Sequence, residues 1–465
     1  MMRFLLRLMC VIVLISGAGP CYSAEPALAE RLAGLDLAEP IELAQIMPNQ
    51  PVDIGVVRPS GRILSSIAIP ALVPKAGSPA SYKKGFLSEI IYNDLELSGY
   101  FQRAKNQQFV EETHDGELKT GQVNFPEWIR LGANFLLVGD YTASGESLSA
   151  EIVLYDVPTG GRIMGKQYEN YNAHNYRRLA HRISDDIVEY ITHEPGIART
   201  QIAYTYKTGK TKEIYVMDAD GFNPRPLTND RSLALAPCWG AGGTELYLTS
   251  YSDHNPDLRG VFVDGSRSWW ISRRPGFNFS AAWNPGAQRI ALTLGKDGNS
   301  EIYTMDRNGQ DLQRLTKDHA IDSSPCWSPD GSRIVFTSDR GGSPQLYAMD
   351  AGGGGAKRIT YQGTYNDSAA WSPKGDRIAF VARAKGIFNI YVMNPDGSNW
   401  VQLTANQGDN EDPCWSPNGL YLTFSSNRTG TYQVYRMNGD GSNVRVLTSA
   451  GDCQSPAWGP IPTGE

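Results

Sequence analysis

Small polar residues and carboxylates recur at one register of this sequence, and they are its best candidates for chemistry. Five residues ahead of successive tryptophans stand Asn278, Asp322, Asn366 and Asn410, followed two residues later by Ser280, Ser324, Ser368 and Asp412. Asp367 and Glu411 fall between them. Carboxylate pairs can run glycoside hydrolysis, so Asp322, Asp367, Glu411 and Asp412 are the residues a hydrolase would use. Oxygen ligands also suit calcium, although nothing here fixes a ligand count or geometry. Taken singly, each Asn, Asp or Ser is a turn or strand cap. Taken together, with Asp367 and Glu411, they make a convergent, mildly acidic docking surface.

Other catalytic signatures do not occur. The sequence holds no G-x-S-x-G nucleophile elbow, no H-E-x-x-H and no paired C-x-x-C. The glycine clusters Gly341-Gly342 and Gly352–Gly355 sit in hairpin turns, not between a strand and a helix where a phosphate would be cradled. None of the six histidines has a partner at ligand spacing. His174 and His181 flank or lie on a helix and read as solvated surface, and His254 and His319 fall in loops.

The elements that must position these residues follow from a repeat. Trp239, Trp283, Trp327, Trp371, Trp415 and Trp458 are spaced 44, 44, 44, 44 and 43 residues apart. The turn pairs Asp220-Gly221, Asp264-Gly265, Asn308-Gly309, Gly352-Gly353, Asp396-Gly397 and Asp440-Gly441 keep the same period and suit the positive φ of a hairpin. Each unit reads as four short strands, the pattern of a propeller blade. One period back from Trp239 lies Pro195, in the linker-like Glu194-Pro195-Gly196, so the first unit has no tryptophan strand. Trp458 has no unit after it. The economical solution is that Ser455 to Trp458 completes the sheet that begins at Ile202, closing six blades and hiding two sheet edges. Asn278 and its counterparts would then crowd a polar ring at one mouth of the central channel. The second blade is irregular, with Leu258-Arg259 in place of Ile-Tyr and an added Trp269-Trp270. Cys238, Cys326 and Cys414 repeat every 88 residues, which puts them in alternate blades, beyond the ~7 Å reach of a disulfide. They read as small buried hydrophobes.

Ahead of the array the pattern changes. Val52 to Ile69 alternates around Gly61 as two strands; Phe86, Ile90, Ile91 and Leu95 follow helical spacing up to Ser98-Gly99. Strands are expected at 135–141, 149–156 and 162–168, with a short helix near 125–131. Tyr176, Leu179, Ile183, Ile187 and Tyr190 mark a last amphipathic helix capped by Asn175. The expected fold is an N-terminal α/β domain over 52–194 followed by an all-β six-bladed propeller over 195–465, closed by the C-terminal strand.

The first residues have a basic start (Arg3, Arg7), an apolar run from Leu8 to Ala18 and small residues from Cys21 to Ala24, the order of a secretory signal peptide over 1–24. Its removal takes away two arginines and no acid, moving the formal charge from −6 to about −8. Nucleic acid is an unsuitable partner for such a chain. Residues 25–51 form an extension rich in Ala, Leu, Pro and Glu. No later segment reaches a membrane-spanning length, so a soluble monomer outside the cytoplasm is expected.

The chain resembles the TolB family of the Tol-Pal envelope system. The resemblance rests on the Leu97-Ser98-Gly99-Tyr100-Phe101 helix exit and on units such as Cys326-Trp327-Ser328-Pro329-Asp330-Gly331 and Ile214-Tyr215-Val216-Met217-Asp218-Ala219-Asp220-Gly221. It implies a non-enzymatic periplasmic protein that supports outer-membrane integrity and envelope constriction at division. It further implies that the lipoprotein Pal binds at the propeller mouth, through Phe277, Asn278, Ser280, Asp322, Ser323, Asn366 and Asp367. TolA would meet Val52-Asp53-Ile54-Gly55 by strand addition. Here the 25–51 extension precedes that segment, and Phe277 stands where the family usually has a polar residue. Two rival readings from the residues remain open: a propeller hydrolase and a glycan-binding propeller.

Overall fold

Six four-stranded antiparallel sheets make the larger part of the chain, and the first of them is assembled from both ends of the array. β7 (Gln201–Thr208), β8 (Thr211–Asp218) and β9 (Arg225–Pro226) follow one another in sequence, but the innermost strand of their sheet is Asp452–Trp458 from the C-terminus. Cys453 pairs with Tyr206 and Trp458 with Ile202. The expected closure is therefore present. The computed structural model describes residues 64–75, 78, 85–104 and 123–462, all within one compact unit spanning Arg58–Glu465. The signal peptide, the 25–51 extension and Val52–Gly55 lie outside the described residues.

Each sheet buries its face against the next. One apolar cluster fills each of the six seams; the closing seam joins Tyr421 and Val434 of the sixth blade to Ile202, Tyr204, Met217 and Trp458 of the first. Polar groups repeat with the same period. Thr228, Thr316, Thr360, Thr404 and Thr448 each accept the N–H of the residue fourteen positions back, always at 2.9 Å. These threonines end the outer strands and tie them to their own sheet; each such bond is worth about 1 kcal/mol net. The second blade has Ser272 there, which turns instead to Asn278 at 2.5 Å.

The innermost strands are joined by an alternating chain of bonds. Trp239, Trp327 and Trp415 donate their indole N–H to the carbonyls of Ala457, Ala282 and Ala370 in the preceding blade, at 2.9–3.1 Å. In return Cys326 and Cys414 accept the main-chain N–H of Trp371 and Trp458 in the following blade, both at 3.2 Å, and Cys238 does the same for Trp283. Cysteine and alanine thus alternate around the channel because the two positions do different work. The thiols are free and line the channel half-buried, not fully buried as the sequence suggests. Enclosure by the surrounding protein still raises them, Cys238 to about 12 and Cys326 to about 11.

The α/β part comprises β1 (Ser65–Ala68), β2 (Val73–Pro74), α1 (Phe86–Leu97), β3 (Phe101–Arg103), α2 (Phe125–Arg130), β4 (Phe135–Ser144), β5 (Ser147–Asp156), β6 (Gly161–Asn172) and α3 (Tyr176–Thr192). The sheet order is β3-β1-β4-β5-β6, with β2 beside β4. Leu87, Ile91 and Leu95 of α1 and Leu179, Ile183 and Ile187 of α3 pack on one face over Ile67, Leu137 and Ile152. Trp128 of α2 fills the other face. Two details differ from expectation. Tyr190 is 47% exposed, because the three aliphatic residues already cover the sheet. Asn175 makes no side-chain cap; Asn172 caps the preceding 3-10 turn through the N–H of His174 at 2.8 Å.

The turn glycines do two jobs, and a pair of them separates these. Gly265 and Gly309 both hold positive φ, 76° and 80°. A Cβ on Gly265 would meet nothing, whereas one on Gly309 would lie 1.9 Å from the carbonyl oxygen of Ile271 in the neighbouring blade. Gly265→Ala should cost about 1–2 kcal/mol, the left-handed penalty alone, and Gly309→Ala clearly more. Urea unfolding of the two variants checks this; equal losses would contradict the close packing of blades at this turn.

Candidate functional site

The two faces of the propeller are inequivalent. The α/β part is bound to the turns between first and second strands and between third and fourth strands of the blades. Asn418 donates to Pro195 O at 3.2 Å, Lys374 pairs with Glu194 at 2.9 Å, and Arg177 reaches Asp218 and Asp220. The innermost strands therefore begin on the opposite face, which the described α/β part leaves open. That open mouth is the candidate site.

The four leading polar residues are buried, not splayed into the mouth. Asn278, Asp322, Asn366 and Asn410 are each 0% exposed. Asn278 donates to the carbonyls of Arg274 and Gly276 at 2.7 and 3.0 Å. Asp322 takes Arg340 Nη2 on both oxygens, at 3.0 and 2.8 Å; burial raises its carboxyl above the usual range, with Ser338 and Arg340 opposing. Asn366 donates to Gln345 and to Gln362 O, both at 2.8 Å. Arg428 donates to Asn410 at 2.7 Å. These side chains fix the loops that surround the mouth, which is why the register keeps them polar.

The mouth itself is shaped by the next two positions. Each innermost strand carries a β-bulge, and in each the residue three positions before the tryptophan is left-handed without being glycine. These are Ala236, Ser280, Ser324, Ser368, Asp412 and Ser455, with φ of 50–55°. Non-glycine residues rarely adopt such angles, and the surroundings must hold them there. Hydroxyls of the preceding blade do so in part: Thr293 accepts from Ser324 N at 3.2 Å and Ser425 from Ser455 N at 2.8 Å. Ser280 and Phe277 are half-buried, and Phe277 stands edge-on to Phe279 at 6.0 Å. Ser323 is 0% and Asp367 6% exposed. Asp367 accepts from Thr337, Tyr365 and Ser368 N at 2.6, 3.1 and 2.6 Å.

Among the described residues no three mouth carboxylates come together. Among the described residues the one grouping of three candidate metal-binding side chains is Asp94, His181 and Asp220, and it lies where the α/β part meets the propeller. His181 is 4% exposed, not the solvated surface residue its place on a helix suggests. Its Nδ1 lies 2.7 Å from Asp94 of α1 and its Nε2 3.8 Å from Asp218 of the propeller. Arg177 adds a second cation against Asp218 and Asp220, so the protein's own cations fill this acidic pocket. Burial opposes the imidazolium, yet Asp94, Asp218 and Asp220 outweigh it and hold His181 at about 10. Nearby, Arg436 donates to Leu97 O and Tyr421 to Ser98 O, so the propeller caps the C-terminal carbonyls of α1 with a buried cation lying over Tyr421 at 4.3 Å. Burial brings that guanidinium down to about 10. A sequence signal for it exists: Val216, Gly260, Thr304, Ala348 and Val392 hold the same repeat position.

With this geometry in hand, comparison with known proteins is informative. The family model described as the TolB beta propeller domain matches residues 188–462, and that of the TolB amino-terminal domain matches 54–163. The chain belongs to the TolB family. Crystalline TolB from Acinetobacter baumannii is similar at 25% identity and a TM-score of 0.74, covering 86% of this chain and 97% of that one. Tol-Pal system protein TolB of Syntrophotalea carbinolica is 36% identical over 41% of this chain and 44% of its own length. Its counterpart from Desulfosudis oleivorans is 35% identical over 46% and 49%. The chain thus spans about half the length of the curated relatives it matches. No helix among the described residues is long and apolar enough to cross a membrane.

The raised His181 generates a test. A cation whose folded value is raised stabilises fully below its ordinary value near 6.5 and loses that contribution as pH climbs towards the folded value. Wild type should therefore exceed His181→Gln in stability by most at pH 6, with the gap closing towards pH 10. Melting curves across that range decide it; a constant gap would mean that the imidazolium is not held by these carboxylates.

Proposed function

We propose that this chain is a non-enzymatic, periplasmic protein-binding component of the Tol-Pal system. In this reading Pal docks at the open propeller mouth around Phe277 and Ser280, and TolA engages Val52–Gly55. Through these partners the protein supports outer-membrane integrity and constriction at division. The observation that carries the reading is the combination of TolB family membership with a mouth that the described α/β part leaves open on the far side. Asn278, Asp322, Ser323, Asn366 and Asp367 then act chiefly beneath the surface, holding the loops that Pal would touch. Support against a hydrolase comes from Asp322, whose carboxylate is enclosed and occupied by Arg340, leaving it unsuited to exchange protons with a substrate.

The reading is tested by titrating the soluble domain of Pal, and separately that of TolA, against the chain lacking residues 1–24. Phe277→Arg and Ser280→Arg should weaken Pal at least tenfold without shifting the melting point, while deletion of 52–55 should abolish TolA and leave Pal intact. Absence of Pal binding to the unaltered chain would refute the assignment of the mouth.

A further inference from the structure

On the face that the described α/β part leaves open, the residue four positions before the repeat tryptophan of each innermost strand is, in ring order from the first blade, Gln454, Leu235, Phe279, Ser323, Asp367 and Glu411. A six-membered ring sets the second blade across from the fifth and the third across from the sixth. Leu235 therefore faces the side of Asp367, and Phe279 the side of Glu411. The next position repeats the division, with Ala236 in the second blade and Asp412 in the sixth. One half of the mouth is apolar and the opposite half is acidic.

Among the described residues, the donors to Asp367 and Asp412 carry no charge. The donors that reach Asp367 are the hydroxyls of Thr337 and Tyr365 and the Ser368 N–H. Those that reach Asp412 are the hydroxyls of Ser425 and Ser455, at 3.4 and 3.1 Å. All are neutral. The arginines of this rim are committed elsewhere, Arg340 to Asp322 and Arg428 to Asn410. Two buried polar groups on the same rim also lack a partner among the described residues: Ser323 Oγ, between the two halves, and Asn366 Oδ1, beside Asp367. The apolar half is half-buried, with Phe277 edge-on to Phe279, and so presents ring surface to whatever enters.

We propose that the mouth recognises a protein partner through a loop carrying a lysine or arginine beside an aliphatic or aromatic residue. The cation meets Asp412, with the charge of buried Asp367 on the adjacent blade adding to its field, where hydrogen bonds to ionised groups in an enclosed site are strong; the apolar residue covers Phe279 and Leu235. This rests on the assignment of the mouth as a docking face, and it specifies the chemistry of what docks. The amphipathic division also restricts the orientation of the loop, since only rotations that set the cation on the acidic half put both residues on matching halves.

A random library tests this whatever the partner is. Phage-displayed loops of twelve random residues are selected on the chain lacking residues 1–24 and counted in parallel on Asp367→Asn, Asp412→Asn and Phe279→Ser. Selected loops should pair Lys or Arg with an apolar residue. They should lose at least tenfold in affinity on each variant, and weaken with added salt on the parent but much less on the two Asn variants. Melting curves identify any variant that fails to fold, and the salt dependence on the parent chain then stands as the independent measure. Selection of acidic or uncharged loops, or salt-independent binding, would overturn the proposal. Pal is titrated in the same series. Pal binding that ignores all three substitutions overturns the proposed chemistry while keeping Pal as partner; failure of Pal with enrichment of basic-apolar loops removes Pal and keeps the chemistry.

Discussion

The return of the C-terminal strand to the first sheet is the constraint on which this structure depends. Strand Asp452–Trp458 is tied on every side. It pairs with β7, receives the indole of Trp239 at Ala457 O, and sends Trp458 N–H to Cys414 and Ser455 N–H to Ser425. Its Trp458 side chain, 6% exposed, fills the seam between the last and first blades. Burial of a tryptophan at such a seam contributes about 3–5 kcal/mol, judged by what its truncation costs. Without it two sheet edges and one apolar seam would be open at once.

Closure also explains how the two faces come to differ. A closed ring leaves the blades no lateral freedom, so its turns become fixed points. On one face those turns hold the α/β part through Asn418, Arg436 and Tyr421, with a buried charged cluster of Asp94, His181, Arg177, Asp218 and Asp220 between them. Pro195, which reads from sequence as a linker, is pinned there by Asn418. On the other face the strand starts are fixed by buried Asn and Asp, and the bulges after them bring Ser280, Phe279 and Asp412 to the channel. The groups proposed to meet a partner are thus presented by rigid elements, which lowers the ordering cost of binding.

Much of this was legible in the sequence. The tryptophan ladder and the Asp-Gly and Asn-Gly turns determine blade number and strand count because a propeller blade must repeat its packing, and the missing first tryptophan strand reveals the closure. The helices of the α/β part follow from their aliphatic spacing. What escaped is long-range pairing of charges. His181 sits among polar helix residues, and nothing local tells that Asp94 and Asp218, 87 residues away on one side and 37 on the other, will enclose it. Likewise Asn278 and Asp322 are correctly polar, but the arginine and carbonyl partners that draw them inward are set by loops whose shape no period encodes. The 88-residue repeat of the cysteines was visible, whereas its cause, an exchange of indole and amide bonds between blades, required coordinates.

The most direct test of the closure is amide hydrogen exchange on a chain ended at Gly451, compared with the full chain. With the closing strand gone, β7 becomes an edge, and the amides of Ile202 to Tyr206 should exchange at least a hundredfold faster while those of the fourth blade change far less. Protection of β7 equal to that of the full chain would contradict the account, since the ring would then be held by something other than its C-terminal strand.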